Sequence, residues 1–324
     1  MGVLGHQPDE RPLFLDESLR GRDTHRSLNR PMTPALRTFL SRLTSTAGLW
    51  LAAGSIMATA YEPGFWALLV ILPFIGTREY FRALDAAKLP HNGRLALALG
   101  TVLILGDLFL TRRHGQNAAL LFDVVFVSFS ILAVFFRRLA VQFKIEDSLH
   151  AVALTVFGIL YAPLLFSFFG KILYIVPRNS DGSLAGHYYL LFLCITTKFS
   201  DCGAYITGSL IGKTPMIPHV SPKKTMEGFA GALAFSALGA WGLIALFPER
   251  LSLLTPGVAI TLGTFFGFVA VIGDLAESLI KRATGIKDSG SMLPGIGGAL
   301  DLIDSLLFTA PLLYAYLVYA TRPA

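Results

Sequence analysis

Long apolar runs separated by short polar breaks extend over most of this 324-residue chain. A helix needs about 20 apolar residues to cross the core of a bilayer. On that criterion the chain contains about nine candidate membrane-spanning helices. Their approximate ranges are 40–60, 65–82, 94–111, 118–136, 149–170, 187–211, 227–247, 256–282 and 299–320. The pattern therefore predicts an all-α polytopic membrane protein.

The composition agrees with that fold class. Hydrophobic residues make up 53% of the chain and charged residues 15%, whereas soluble domains carry about 25% charged residues. The formal net charge is +6. In a membrane protein, excess Lys and Arg reflect cytoplasmic loops and anionic headgroups. Membrane lipids are therefore expected partners, and nucleic acid is not.

The Lys and Arg residues of the loops predict an orientation. With the N-terminus in the cytoplasm, thirteen of them face the cytoplasm and six face the other side. This is the bias that the positive-inside rule describes. The polar segment 1–38, which contains no apolar run, is expected to be a disordered cytoplasmic tail.

Acidic residues lie at membrane depth in three of the predicted helices. Asp274 and Glu277 are three residues apart in one helix, and Asp301 and Asp304 are three apart in the next. Each pair therefore lies on one face of its helix. A third predicted helix carries Asp201. A carboxylate in a spanning helix costs about 2.5–3.5 kcal/mol on insertion scales, so it marks a functional site.

Two interpretations of these acids stay open. A divalent cation between the two pairs would relieve their mutual repulsion, and hard carboxylate oxygens suit Mg²⁺. Alternatively, Lys198, Lys281 and Arg282 neutralise the acids by ion pairing, without any metal.

A basic cluster at 219–228 comes just before the predicted helix 227–247. Lys223 and Lys224 can bind phosphates as point charges, and Ser221 and Thr225 can donate hydrogen bonds to them. The N-terminus of the following helix adds amide donors for anions. The alternative interpretation is a positively charged loop that touches lipid headgroups.

Four polar motifs follow one another in the last third of the chain. They are S-D-C-G-A-Y at 200–205, S-P-K-K-T-M-E-G at 221–228, G-D-L-A-E-S-L-I-K-R with G-I-K-D-S-G at 273–290, and P-G-I-G-G with D-L-I-D-S at 294–305. In this order they resemble the motifs of phosphatidate cytidylyltransferases (CDP-diacylglycerol synthases). The resemblance is strong over about 190–310 and rests on hydropathy in the first five helices.

The resemblance implies transfer of CMP from CTP to phosphatidate, which gives CDP-diacylglycerol and pyrophosphate for phospholipid biosynthesis. It makes Asp274, Asp301 and Asp304 the first-choice Mg²⁺ ligands, with Glu277, Asp288 and Asp201 as further candidates. The residues expected at the CTP phosphates are Ser221, Lys223, Lys224 and Thr225. Those expected at phosphatidate or the leaving group are Lys281, Arg282 and Lys287, with the backbone amides of Gly297 and Gly298. The expected catalytic residues are Asp274, Asp301, Asp304, Lys224 and Lys281.

Two positions depart from the family pattern: Ile296 stands where His is usual, and Leu302 where Arg is usual. We expect an active, divergent member, because the carboxylates and lysines persist. The alternatives are an inactive paralogue, another CTP-using lipid enzyme such as a polyprenol kinase, and an ion-coupled secondary transporter.

The resemblance also suggests an organisation for the whole chain. Segment 39–175 would hold N-terminal transmembrane helices, and 176–324 would form the catalytic transmembrane domain. We expect a multi-pass protein of the cell (inner) membrane with its active site facing the cytoplasm, and a homodimer. The sequence leaves open whether one or two metal ions bind and whether K⁺ takes part.

Overall fold

The computed structural model describes residues 48, 51–140, 145–180, 182–286, 290 and 297–322. In these ranges the chain forms an all-α bundle with one short β-hairpin, and residues 51–59 are helical. The long helices are α1 (Glu62–Ala86), α2 (Gly93–His114), α3 (Gln116–Leu139), α4 (Ile145–Ile159, a π-helical turn Leu160–Leu164, and Leu165–Leu173), α5 (His187–Ile211), α6 (Met226–Leu246), α7 (Pro256–Ala283) and α8 (Ala299–Ala320).

The helix bounds agree closely with the ranges predicted from hydropathy. Among the described residues, six helices are long and apolar enough to cross a membrane: α2, α3, the Asp147–Leu173 part of α4, α6, α7 and α8. The other two, α1 and α5, have 25 residues each but are less apolar. The tail 1–38 and most of the predicted helix 40–60 lie outside the described residues.

The hairpin between α5 and α6 lies at the same end of the bundle as the C-terminal end of α7. After α5, the chain forms an antiparallel hairpin from β1 (Pro215–Ile217) and β2 (Ser221–Thr225) before it enters α6. Near the end of α7, the side-chain Nε of Arg282 donates to the carbonyl of Val220 in the hairpin over 3.3 Å. The hairpin and the C-terminal end of α7 therefore lie side by side. The basic cluster at 219–228 is a strand followed by the first turn of α6.

Small residues let α6 and α7 approach closely. The spacing of Gly263 and Gly267 predicts such a contact. A Cβ atom on Gly267 would lie 2.9 Å from the Cβ of Ser236, and one on Gly263 would lie 2.5 Å from the Cβ of Ala240. The hydroxyl of Ser236 donates to the carbonyl of Gly263 over 2.6 Å. This contact fixes the end of α7 relative to α6 and the hairpin.

A buried ion cluster joins the N-terminal helices. The Nζ atom of Lys171 in α4 lies 2.5 Å from Oδ1 of Asp107 in α2 and 2.7 Å from Oδ2 of Asp123 in α3. The side chains of Lys171 and Asp107 are fully buried. The sequence interpretation, which placed membrane-depth charges in three C-terminal helices, was therefore incomplete. It ended the fifth helix at residue 170, whereas α4 continues to Leu173.

Candidate active site

The hairpin is positioned by the helix that follows it. Thr225 is the N-cap of α6, and its Oγ1 accepts a hydrogen bond from the backbone N–H of Gly228 over 3.1 Å. This satisfies one of the free N–H groups of the first turn. The hydroxyl proton of Thr225 stays available to a ligand.

Glu227 holds the entry of the hairpin, a role that sequence reasoning missed. Its Oε2 accepts from the backbone N–H of Lys213 at 3.1 Å and of Thr214 at 3.2 Å. Its Oε1 accepts from the hydroxyl of Thr214 at 3.0 Å. One carboxylate in the first turn of α6 thereby ties down the residues that precede β1.

Three carboxylates from α7 and α8 converge at the end of the bundle near the hairpin. Asp274, Glu277 and Asp304 each offer an oxygen, and these oxygens all lie within 4.8 Å of one another. Glu277 is 2% exposed and Asp304 is 4% exposed. We call these three residues the acid cluster. The sequence placed Asp274 and Asp304 among the first-choice metal ligands and Glu277 among the further candidates.

Asp301 lies next to the acid cluster but has other partners. The Nζ atom of Lys281 bridges Oδ1 of Asp301 at 2.6 Å and Oε2 of Glu277 at 2.9 Å. Oδ2 of Asp301 accepts from the backbone N–H of Gly298 over 2.7 Å. Asp301 therefore joins α7 to the first turn of α8, and the metal role expected for it stays a prediction.

Lys224 connects the hairpin to the acid cluster. Its Nζ lies 2.6 Å from Oδ2 of Asp274. A pocket of 410 Å³ opens beside this ion pair. Its lining includes Asp201, Tyr205, Gly208, Lys223, Lys224, Thr225 and Asp274, and Met216, Phe229 and Val271 add apolar surface. We call it the polar pocket after its charged side chains.

Asp201 reaches the polar pocket from α5. Its Oδ2 lies 3.0 Å from Nζ of Lys198, one helical turn away. It is close to the acid cluster without belonging to the group whose oxygens lie within 4.8 Å of one another.

Acids outnumber the lysines that pair with them around the acid cluster. Five carboxylates (Asp201, Asp274, Glu277, Asp301 and Asp304) face three ammonium groups (Lys198, Lys224 and Lys281). Ion pairing with these lysines therefore neutralises only part of the site if all five acids are ionised. The carboxylates of the acid cluster are also the hard oxygen donors that Mg²⁺ prefers.

Tyr161 is a second site residue that sequence reasoning missed. It lies in the π-helical turn of α4, is 3% exposed, and its hydroxyl has no hydrogen-bond partner among the described residues. This hydroxyl is within electrostatic range of Asp304, Glu277 and Asp274. A buried hydroxyl without a partner beside three acids fits a site that binds a further polar group. The signal in the sequence was Pro163, which breaks the regular helix nearby.

Glu79 is the third missed residue, and it comes from α1. Its side chain is 1% exposed, and Oε2 accepts from the backbone N–H of Leu300 over 2.9 Å. A Cβ atom on Gly298 would lie 2.5 Å from that oxygen. Gly298, the N-cap of α8, has no side chain to bind the first-turn amides, so a carboxylate from another helix does so.

The remaining predicted site residues are placed as follows. Ser221 begins β2, and Arg282 contacts the hairpin through Val220. Gly297 has φ +110, a conformation that favours glycine. The predicted residues Lys287 and Asp288, together with Ile296, lie outside the described residues.

Comparison with known proteins decides the family. A model of the cytidylyltransferase family matches residues 41–320. The chain belongs to the cytidylyltransferase family. The family assignment made from the four motifs is thus confirmed, and the match includes the N-terminal helices.

Curated relatives in this family carry the name phosphatidate cytidylyltransferase. The protein from Synechocystis sp. is 32% identical over 275 residues, which cover 78% of this chain and 88% of the relative. The protein from Staphylococcus saprophyticus is 31% identical over 250 residues, which cover 76% and 87%. The protein from Mycobacterium bovis is 39% identical over 164 residues, about half of each chain.

Proposed function

We propose that this chain is a membrane-embedded phosphatidate cytidylyltransferase. It would transfer CMP from CTP to phosphatidate and release pyrophosphate. Family membership and the names of the relatives support this activity. The activity also explains why acids and lysines gather at the end of a bundle of apolar helices, since one substrate is a soluble nucleotide and the other is a lipid.

The ion pair between Lys224 and Asp274 is the observation that carries the proposal. It brings the basic hairpin and the acid cluster within 2.6 Å of each other, so that the two polar groups form one site. Lysines that hold polyphosphate and acids that hold a divalent cation are the two parts that nucleotidyl transfer needs.

Asp274, Glu277 and Asp304 would hold Mg²⁺, because their oxygens converge within 4.8 Å of one another and hard carboxylate oxygens suit this ion. Bound there, Mg²⁺ would neutralise phosphate charge as it builds up on the leaving pyrophosphate. Whether a second metal ion or K⁺ also binds stays a prediction.

The protein's own residues position the two polyanions. Lys223 and Lys224 line the polar pocket and would bind the phosphates of CTP, with the hydroxyl of Thr225 as a further donor. A phosphate oxygen of phosphatidate would attack the α-phosphorus of CTP, and the bond to pyrophosphate would break. The attacking oxygen is already anionic at neutral pH, because the second pKa of a phosphate monoester is near 6. The reaction therefore needs no strong general base.

Lys281 would act through the acids, because its Nζ bridges Glu277 and Asp301 and keeps α7 and α8 in register. Its contact with the leaving group, which the resemblance implies, stays a prediction.

The placement in the membrane is part of the proposal. Nine spans with a cytoplasmic N-terminus put the hairpin and the α7–α8 connection in the cytosol, where CTP is found. Labelling of single cysteines in the hairpin of intact cells and inverted vesicles would test this: reaction in inverted vesicles alone supports the orientation, and reaction in intact cells contradicts it. The homodimer stays a prediction.

Turnover by the purified protein tests the activity. The protein in detergent is incubated with labelled CTP, Mg²⁺ and a panel of lipid phosphates that includes phosphatidate and polyprenol phosphate. Formation of CDP-diacylglycerol from phosphatidate supports the proposal. A phosphorylated lipid with release of CDP would indicate a kinase, and no turnover with any lipid would contradict both activities.

A further inference from the structure

An apolar cavity lies within the bundle on the far side of Lys198 from the polar pocket. Its volume is 150 Å³. Residues from the 51–59 segment, α1, α4, α5 and α8 line it. Among the described lining residues, Lys198 alone carries a charge, and the others are apolar side chains or Cys194. A cavity this apolar suits a hydrocarbon chain.

The apolar cavity and the polar pocket lie end to end along one face of α5. Leu190, Cys194 and Lys198 line the cavity. Asp201, Tyr205 and Gly208 line the polar pocket. The spacing of three and four residues continues without a break from one set to the other, so that all six residues lie on one helix face.

Lys198 and Asp201 form the boundary between the two spaces. Their ion pair of 3.0 Å joins the last residue of the cavity stripe to the first residue of the pocket stripe. Asp304 of the acid cluster is within electrostatic range of both Lys198 and Asp274. The acid cluster therefore lies where the two spaces meet.

The ammonium group of Lys198 can donate further hydrogen bonds at this boundary. A lysine ammonium group has three N–H donors, and the ion pair with Asp201 uses one of them. Lys198 is mostly buried, with 19% of its side chain exposed. A phosphate monoester at the mouth of the cavity would give this cation an anionic partner.

We propose that the apolar cavity binds one acyl chain of the lipid phosphate substrate, with its phosphate on Lys198. The inference rests on the proposed function and adds the site and orientation of the second substrate. CTP would enter the polar pocket from the hairpin end and the lipid phosphate would approach from the membrane end. The two would meet at the acid cluster from opposite directions, as in-line transfer requires.

Leu302, Ile303 and Leu306 of α8 also line the cavity. They are interleaved with Asp301 and Asp304, so the helix that carries two of the site's acids also forms one wall of the acyl site. At position 302, where the family usually has Arg, a leucine adds apolar surface to this wall. The length and width of the cavity would therefore set which acyl chains the enzyme accepts.

The test fills the cavity from the 51–59 segment, which carries none of the acids. Ala53→Phe places a ring in the cavity, and Ala52→Phe, the same change at an exposed neighbour outside the lining, is the matched control. Loss of fit in an apolar pocket costs on the order of tenfold or more in kcat/KM. We expect Ala53→Phe to lower kcat/KM by this amount for dipalmitoyl phosphatidate. Turnover of dihexanoyl phosphatidate and the KM for CTP should be unchanged, and Ala52→Phe should behave as wild type.

Lys198→Met tests the position of the phosphate. We expect the KM for phosphatidate to rise roughly tenfold for both chain lengths, because a charged hydrogen bond is lost. The KM for CTP should change less than the KM for phosphatidate, and Lys198→Arg should recover most of the loss. Equal effects of Ala53→Phe and Ala52→Phe, or a KM change in CTP alone, would overturn the inference.

A photoreactive phosphatidate with a diazirine at the end of one acyl chain tests occupancy without turnover. Labels mapped to the 51–59 segment and to α1 near Leu69 and Leu72, and reduced by unlabelled phosphatidate, support the inference. Labels confined to lipid-facing side chains would overturn it. Because the experiment needs no CTP, it remains decisive even if wild-type protein fails to turn over CTP with phosphatidate, the result that would reject the proposed function.

Discussion

The side chain of Glu79 in α1 accepts a hydrogen bond from the backbone N–H of Leu300 in α8 over 2.9 Å, although 221 positions separate the two residues. Gly298 begins α8 and offers no side-chain cap. Asp301 satisfies the N–H of Gly298 and Glu79 satisfies that of Leu300. A residue of the first described long helix thereby positions the helix that carries Asp301 and Asp304.

Replacement of Glu79 should weaken both stability and activity. Glu79→Ala leaves the buried N–H of Leu300 without a partner, which costs about 1–3 kcal/mol. We expect a lower midpoint of thermal unfolding in detergent and loss of CTP-dependent product. Glu79→Gln keeps an acceptor oxygen and should retain more of both. Asp85→Ala, at an exposed carboxylate of the same helix, is the control, and equal losses in the Asp85 and Glu79 variants would refute the positioning role.

Replacements of Asp304 and Asp301 should change the Mg²⁺ dependence of the activity in different ways. Asp304→Asn removes a proposed metal ligand, and we expect kcat to fall by roughly 10²–10³-fold. Asp301→Asn loosens the bridge through Lys281 and should raise the Mg²⁺ concentration for half-maximal activity by about 10–100-fold, as the loss of a residue that orients metal ligands does. Mg²⁺ titrations of initial rates measure both effects. Asp85→Asn, at an exposed carboxylate, should change neither.

The lysines of the hairpin should act on CTP binding. Lys223→Met and Lys224→Met each remove a cation from the polar pocket, so we expect the KM for CTP to rise by roughly tenfold or more. The KM for phosphatidate should change less. Lys213→Met, at the entry of the hairpin and outside the pocket lining, is the matched control. An unchanged KM for CTP in both pocket variants would contradict the assignment of the phosphates to β2.

The close contact of α6 and α7 should not tolerate a larger residue. A Cβ atom on Gly267 would meet Ser236 at 2.9 Å, and Gly257 on the same helix has no neighbour within 4 Å of its Cβ position. Gly267→Val should therefore destabilise the fold by about 1–3 kcal/mol through overpacking. Gly257→Val should cost much less. Thermal unfolding of the two variants in the same detergent compares the sites directly, and equal shifts would exclude a packing role for Gly267.

Replacement of Lys171 should lower the free energy of unfolding, because two buried acids then lack their cation. Lys171→Met leaves Asp107 and Asp123 without their cation, and breaking a buried pair costs about 3–5 kcal/mol. We expect little folded protein from this variant. The triple change Lys171→Met, Asp107→Asn and Asp123→Asn should recover much of the loss, because no unpaired charge then remains. Failure of the triple variant to recover would mean that the cluster does more than balance charge.

The sequence by itself determined the class of fold, the positions of most helices and the types of charged residue in the C-terminal helices. Hydropathy reveals helices because each spanning segment must be apolar along its own length, which is a local property. The i, i+3 acid pairs and the lysines beside Pro222 were visible for the same reason. The motifs identified the family, and the family match confirmed them.

Tertiary structure decided which of these residues meet. Helix packing brings Glu277 into the acid cluster, and joins Asp301 to Lys281 and to the start of α8. It also brings in Tyr161, and it brings in Glu79, whose position in the chain carries no local sign of the site. Burial of Lys171 between two aspartates is likewise a contact between helices. The sequence shows which side chains each helix face carries. Only the packing of the helices against one another determines which of those side chains are in contact.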